Sequence, residues 1–64
     1  MKKKYQKVYE QVCIYERKVS TEIFGITDEK QIQRNIDNKY KNICKAIRSG
    51  LIDENQAMDS LRVN

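Results

Sequence analysis

Apolar side chains recur every three or four residues through the first third of the chain. At 100° per residue, these positions fall on one stripe of a helix surface. The stripe consists of Tyr5, Val8, Val12, Tyr15, Val19 and Ile23, with Tyr9 at its edge. This pattern predicts a long amphipathic helix over about residues 2–24.

Gly25 marks the predicted end of this first helix. A residue just past a helix often takes the left-handed conformation, which glycine adopts without strain. Ile26 is placed to fold back on the last turn, as in a Schellman motif. Thr27 is then the predicted N-cap of a second helix, because its hydroxyl can accept a backbone hydrogen bond, and Asp28 and Glu29 place negative charge in the first turn.

A second apolar stripe predicts a helix over about residues 28–49, with Gly50 as its stop. The stripe consists of Ile32, Ile36, Tyr40, Ile43 and Ile47, with Cys44 beside it. Asp53 and Gln56 then match a capping box. They predict a third helix over about residues 54–62, whose buried edge is Ala57, Met58 and Leu61.

The short link at residues 26–27 requires the two long helices to lie antiparallel. We therefore expect an all-α fold in one domain over residues 1–64: a helical hairpin plus a short C-terminal helix, forming a three-helix bundle. The third helix is expected to cover residues 5–12 and to be too short to reach Val19, Ile23 and Phe24. Either that end stays thinly covered or a second copy packs on it. Since a chain of this length has marginal stability, we expect the second copy, in a homodimer.

The stretch AIRSGLIDENQAMDSL, which spans residues 46–61, has a Gly-x-Ile-Asp-Glu centre. It resembles the helical hairpin of short C-terminal oligomerisation domains of bacterial proteins. The resemblance implies self-association.

Thirteen Lys and Arg residues against nine Asp and Glu residues give a net charge of +4. A positive charge favours an acidic partner, either a protein surface or nucleic acid. Lys, Ile and Asn are abundant and Pro is absent. This composition is typical of an AT-rich coding sequence, which explains part of the basic character.

The second helix carries a row of cations that we call the basic ridge. Its members fall within about 60° of the helix surface at 100° per residue, interrupted only by Asp37. They are Lys30, Arg34, Lys41, Lys45 and Arg48. Like charges at four-residue spacing destabilise a helix slightly, so this row favours a contact with phosphates or carboxylates. The alternative interpretation is a solvated helix face.

A second group of cations opens the chain and consists of Lys2, Lys3, Lys4 and Lys7. The hairpin is expected to bring this group to the same end of the molecule as Lys41, Lys45 and Arg48. Lys3, Lys4 and Lys7 therefore join the basic ridge as predicted partner-binding residues. Three acids of the third helix are expected at the same end and would offset part of the charge: Asp53, Glu54 and Asp59.

The sequence offers no constellation of catalytic residues. It has no His, and its two cysteines, Cys13 and Cys44, are far apart, so neither a zinc-site spacing nor a disulfide framework is present. We expect no catalytic site, no metal and no cofactor, and a protein that is not an enzyme. The opening lysines are followed by no apolar run of signal-peptide type, and no stretch approaches a membrane span, so we expect a cytoplasmic protein that does not contact membranes.

Ala46, Gly50 and Leu51 match the centre of a helix-turn-helix motif. The apolar positions downstream do not match, and the third helix begins Asp-Glu, so phosphates would repel the helix that should enter the major groove. The pattern does not favour that motif.

Three hypotheses follow for the function. The first is a small regulatory protein of a bacterial cell, phage or mobile element that binds a larger protein and modulates it sterically. The alternative is a small basic protein that binds nucleic acid through backbone contacts from the basic ridge. A structural subunit, such as a minor phage or spore component, is the third.

Overall fold

A computed structural model describes residues 4–63, which form three helices and no strand. The helices are α1, Gln6–Glu22, α2, Glu29–Arg48, and α3, Glu54–Ser60. They pack into a compact body of 33 × 27 × 17 Å. The predicted all-α class, with two long helices and a short C-terminal one, is confirmed.

α1 begins later than the sequence pattern predicts. Lys4 and Tyr5 lie in a turn, and residues 2 and 3 lie outside the described residues. Tyr5 is the N-cap, but no side chain caps the helix. The Tyr5 N–H instead donates to the Tyr40 hydroxyl at 3.3 Å. Because the opening segment offers no Ser, Thr, Asp or Asn to cap a start at residue 2, the first turn forms where α2 supplies a partner.

α1 ends at Glu22, two residues before the predicted end. The Phe24 N–H donates to the Val19 carbonyl at 3.3 Å, and the Ile26 N–H donates to the Ser20 carbonyl at 2.8 Å. Gly25 takes the left-handed conformation, with φ of +64°. Ile26 folds back as predicted, but this turn is one residue wider than a Schellman motif, whose outer hydrogen bond spans five residues.

The end of α2 has the Schellman geometry itself. The Leu51 N–H donates to the Ala46 carbonyl at 3.0 Å, and the Gly50 N–H donates to the Ile47 carbonyl at 3.1 Å. Gly50 has a φ of +82°. The predicted stop at Gly50 is confirmed.

The prediction of Thr27 as the N-cap of α2 is wrong, because Asp28 takes that position. The Asp28 carboxylate accepts a hydrogen bond from the Lys30 N–H at 3.0 Å. Asp is a stronger N-cap than Thr, and its negative charge meets the positive end of the helix dipole. α2 therefore starts one residue later than predicted.

The predicted capping box of α3 is confirmed. The Asp53 carboxylate accepts from the Gln56 N–H at 2.8 Å, and the Gln56 side-chain oxygen accepts from the Asp53 N–H at 2.9 Å. α3 ends at Ser60 rather than at residue 62, and Leu61, which follows it, is fully buried.

The core consists of residues from both predicted stripes, from α3 and from the residue that follows α3. Its buried members are Val8, Val12, Ile32, Ile36, Ile43, Ala57 and Leu61. Tyr15, Tyr40 and Ile47 pack against it while partly buried. The periodicity thus identified the inner face of α2 and that of α1 through Tyr15. The prediction is wrong at Ile23, which is exposed beyond the end of the helix, and it missed the buried Ser20.

Side-chain contacts confirm the antiparallel arrangement of α1 and α2. Arg17 pairs with Glu29 at 2.9 Å near the connecting turn. At the other end, the rings of Tyr9 and Tyr40 meet edge to face, with centroids 5.1 Å apart. The start of α1 therefore lies against the C-terminal half of α2.

α3 and the residues that follow it, up to Val63, run along α1. The Gln11 side-chain amide donates to the Leu61 carbonyl at 2.8 Å. Residues Arg62 and Val63, beyond α3, line a groove with Val19 and Ile23. They reach the end of α1 that the helix itself does not cover, yet Ile23 and Phe24 stay 70% and 69% exposed.

Candidate functional site

All five side chains of the basic ridge are exposed. None of them forms an ion pair with another residue in the range 4–63. Asp37, which interrupts the ridge, accepts a hydrogen bond from the Gln33 side chain at 3.0 Å. The ridge therefore presents its positive charge outward along α2.

The helix dipole accounts for only part of this charge. Lys45 and Arg48 lie in the last turn of α2, where the negative end of the dipole stabilises cations. Lys30 lies in the first turn, next to Glu29, where a cation is disfavoured. Helix stability alone does not explain why cations run the full length of the ridge.

A pocket of about 330 Å³ lies between the start of α1 and the C-terminal half of α2, and we call it the basic pocket. Its lining residues are Lys4, Tyr5, Tyr40, Lys41, Cys44 and Arg48. Three of these residues were predicted to bind a partner. The structure thus places Lys4 beside the end of the ridge, as the hairpin predicts, and no acidic side chain lines the pocket among the described residues.

Contacts among the tyrosines fix one wall of the basic pocket. Tyr40 receives the Tyr5 N–H at its hydroxyl, and its ring packs against Tyr9. The Lys4 ammonium lies 5.7 Å from the centre of the Tyr5 ring, within reach of a cation–π interaction. Tyr5 and Tyr40 are both partly buried.

Tyr40 contributes a neutral hydroxyl to this wall. Burial raises the pKa of Tyr40 above its ordinary value of 10.0, and a hydrogen bond with the Cys44 side chain acts in the same direction. The phenol therefore stays protonated at neutral pH. The formal charge of the pocket comes from its lysines and its arginine.

The other described residues of the predicted site do not line the basic pocket. Lys45 lines a separate depression of about 270 Å³ with Ala46 and Leu51. Lys7 is exposed on α1, and Lys30 and Arg34 lie toward the N-terminal end of α2. Lys2 and Lys3 lie outside the described residues.

The three acidic residues expected near this end, Asp53, Glu54 and Asp59, do not line the basic pocket. Asp59 pairs with Arg62 at 3.2 Å. Asp53 uses its carboxylate to cap α3, and Glu54 is exposed beside it. The expected offset of charge from these side chains is not seen in the lining of the pocket.

Sequence reasoning did not find the pocket itself. The apolar stripes predicted only that Tyr5 and Tyr40 face the inside of the hairpin, with Cys44 beside the second stripe. The available signal was the hairpin register, which sets Tyr5 and Lys4 beside the last turns of α2.

The cysteines and the potential metal ligands complete the description of the site. Cys13 and Cys44 are free thiols, and both are partly buried. Over residues 4–63, no group of three or more His, Cys, Asp or Glu side chains is placed to hold a metal ion.

In comparisons with known proteins, no family model, curated protein or solved structure matches this chain. No helix within residues 4–63 has the length and hydropathy that crossing a membrane requires.

Proposed function

We propose that this chain is a small non-enzymatic regulatory protein that binds an acidic surface of a larger protein. The observation that carries the proposal is the exposed basic ridge, whose cations have no ion-pair partner among residues 4–63. Unpaired surface cations in a row complement carboxylates on a partner and steer its approach. The predicted binding residues are Lys30, Arg34, Lys41, Lys45, Arg48, Lys3, Lys4 and Lys7.

The proposed mechanism is steric. The ridge extends over about 27 Å at the rise of 1.5 Å per residue, and it belongs to the longest helix of the bundle. A helix held by a packed core keeps its shape on binding and occupies a groove that another ligand needs. The proposal includes a cytoplasmic location, because two partly buried free thiols suit a reducing compartment.

Charge reversal on the ridge tests this proposal. Lys41→Glu combined with Lys45→Glu lowers the net charge by four, and so does Arg17→Glu combined with Lys18→Glu on α1. Arg17 and Lys18 are exposed, and their ion pairs are of the surface type that contributes little to stability. The two double variants are therefore matched in charge and differ in position.

The measurement is quantitative capture of proteins from a lysate of the source cells, with circular dichroism to check that each variant is folded. We expect one partner to bind the wild-type protein and the Arg17/Lys18 variant, and to be lost with the Lys41/Lys45 variant. Equal retention by both variants contradicts a role for the ridge. Absence of any captured partner contradicts the proposal as a whole.

A nucleic-acid-binding function is the second candidate, because the same ridge suits phosphates. Five phosphate contacts would give a slope of about −4.5 for log affinity against log salt on duplex DNA. The tyrosines that could stack on bases already make contacts within the chain, since Tyr9 and Tyr40 pack against each other and Lys4 lies over Tyr5. Stacking on bases would have to use the ring surface that these contacts leave open.

Fluorescence anisotropy with random DNA and RNA separates the two candidates. The titrations are made at about 50 and about 200 mM salt, where phosphate binding changes strongly. The proposed function predicts no binding at the lower salt concentration. The opposite result is strong binding of DNA or RNA that is lost at the higher salt concentration and in the Lys41/Lys45 variant. It would contradict a protein partner and support nucleic-acid binding.

We further infer a homodimer from the exposed end of α1. Ile23 and Phe24 are both exposed there, beside a groove lined by Val19 and Val63. Burying these side chains against a second copy would add apolar contact to a small core. Sedimentation should show a dimer that Ile23→Asp dissociates and that Leu51→Asp, at an exposed apolar position near α3, leaves intact. A monomeric wild-type protein contradicts this inference.

A further inference from the structure

The basic pocket combines features that one kind of protein segment would satisfy. We propose that it takes one aromatic or large aliphatic side chain from an acidic segment of the partner, while neighbouring carboxylates bind Lys4, Lys41 and Arg48. This inference rests on the proposed function, because it names the chemistry of the partner that the ridge binds.

The size of the pocket suits one side chain. Its volume of about 330 Å³ is at the lower end of the range of about 300–1,000 Å³ typical of ligand pockets. Protein interfaces commonly concentrate their affinity in one buried apolar anchor of this kind. Tyr5, Tyr40 and Cys44 supply the apolar contact surface.

The charges at the pocket determine which residues can flank the anchoring side chain in the partner. Three of its six lining residues are cations, and none is an acid. Arg48 presents a planar guanidinium that can bind a carboxylate through two hydrogen bonds. A segment with basic neighbours would be rejected by like-charge repulsion.

Contacts within the chain hold the aromatic wall in place. The Tyr40 ring is held against Tyr9, and its hydroxyl is engaged by the Tyr5 backbone. Lys4 lies over the ring of Tyr5. These contacts give the pocket a preformed apolar wall against which one side chain can pack.

Three synthetic peptides with blocked ends test the inference on the full chain. They are Glu-Glu-Phe-Glu-Glu, Glu-Glu-Ala-Glu-Glu and Lys-Lys-Phe-Lys-Lys, titrated while two-dimensional amide NMR spectra are recorded. We expect the acidic Phe peptide to bind about tenfold more tightly than the Ala peptide or better, a difference that NMR titration resolves. Its shifts should centre on Tyr5, Tyr40 and Cys44, and the basic peptide should not bind.

Two pairs of variants separate charge from shape. Lys41→Glu with Arg48→Glu should abolish binding of both acidic peptides, whereas Arg17→Glu with Lys18→Glu should not. Cys44→Met fills the pocket and should weaken the Phe peptide more than the Ala peptide. Cys13→Met places the same side chain at the other partly buried cysteine, outside this pocket, and should leave the ratio of affinities unchanged.

The outcomes distinguish the pocket from the wider proposal. Equal affinities for the Phe and Ala peptides, with binding that depends on Lys41 and Arg48, overturn the pocket and leave the acidic partner in place. Failure of both acidic peptides to bind overturns both. A thymidine oligonucleotide is titrated in the same way. If it shifts the same amides at a lower concentration than the Phe peptide does, the proposal that a protein side chain occupies the pocket is overturned.

Discussion

At the scale of single residues, two glycines decide where the long helices stop. Gly25 and Gly50 have positive φ, and no heavy atom of residues 4–63 beyond their chain neighbours lies within 4 Å of a Cβ added at either position. A side chain there meets open space, so its cost is set by the backbone conformation alone.

We expect Gly25→Ala to lower the free energy of unfolding by about 1–2 kcal/mol, the cost of the left-handed conformation for a residue with a Cβ. Gly25→Asn should cost less, because Asn tolerates that conformation. Urea denaturation of the three proteins measures both effects. A stability unchanged by Ala would show that this turn does not need a left-handed residue.

Tyr40 gives the chain a pH dependence in the alkaline range. Its pKa is raised in the folded state, mainly by burial. Above pH 10 the unfolded chain releases this proton first, so the folded state binds more protons and stability falls as pH rises. Below the unfolded pKa of 10.0 the contribution is constant.

Tyr40→Phe should therefore show a smaller loss of stability above pH 10 than the wild-type protein. The two proteins differ only at this phenol, so the difference between the two curves reports Tyr40 together with its contacts to Cys44 and Tyr5. Thermal unfolding from about pH 8 to about pH 11 is the measurement, since tyrosine titrates in that range. Parallel curves would contradict the assigned burial.

At the scale of the helices, the short helix α3 depends on both its N-terminal cap and its contacts with the core. It has seven residues, too few to be stable without tertiary contacts. The capping box between Asp53 and Gln56 satisfies two backbone N–H groups at its start. Ala57 and Leu61 attach it to the core.

Asp53→Ala should cost about 1 kcal/mol of unfolding free energy, the usual value of an N-cap. Asp59→Ala removes an exposed ion pair of the same helix and should cost a few tenths. Chemical denaturation and hydrogen exchange of the α3 amides report the difference. Equal effects of the two substitutions would mean that the cap does not hold α3.

The helices were predictable because their apolar periodicity and their terminal residues agree. Gly50, Asp53 and Gln56 are read directly from local chemistry. The choice between Thr27 and Asp28 was harder, because two adjacent residues can both cap a helix, but the stronger capping preference of Asp and its charge favour the observed cap. The start of α1 depends on Tyr40, a partner distant in the chain that no local pattern reveals.

At the scale of the whole molecule, stability rests on a small number of buried side chains. Leu61 is fully buried, whereas Leu51 is 78% exposed. Leu61→Ala should lower the free energy of unfolding by about 2–5 kcal/mol. A core of this size supplies only about 3–5 kcal/mol, so much of that variant should be unfolded.

Leu51→Ala is the matched control and should change stability by less than about 0.5 kcal/mol. Circular dichroism during urea denaturation measures both variants. Similar losses from the two substitutions would contradict the packing of Leu61 described above.

The candidate site was predictable in its charges and not in its shape. The period of 3.6 residues placed Lys41 and Arg48 on the outer side of α2, and the hairpin brought Lys4 to the same end. The shape of the pocket depends on how Tyr5 and Tyr40 meet, through the hydrogen bond from the Tyr5 N–H to the Tyr40 hydroxyl and the contact between Tyr40 and Tyr9. A pattern along one chain carries no record of that packing.

The position of Lys4 on the wall of the basic pocket affects how the protein should be handled. A purification tag fused ahead of Met1 would be joined only three residues from that lysine, and acidic tags would compete for its charge. A tag fused after Asn64 would instead follow Val63, which lines the groove shared with Val19 and Ile23. A C-terminal tag therefore suits binding assays, and an N-terminal tag suits sedimentation measurements of self-association.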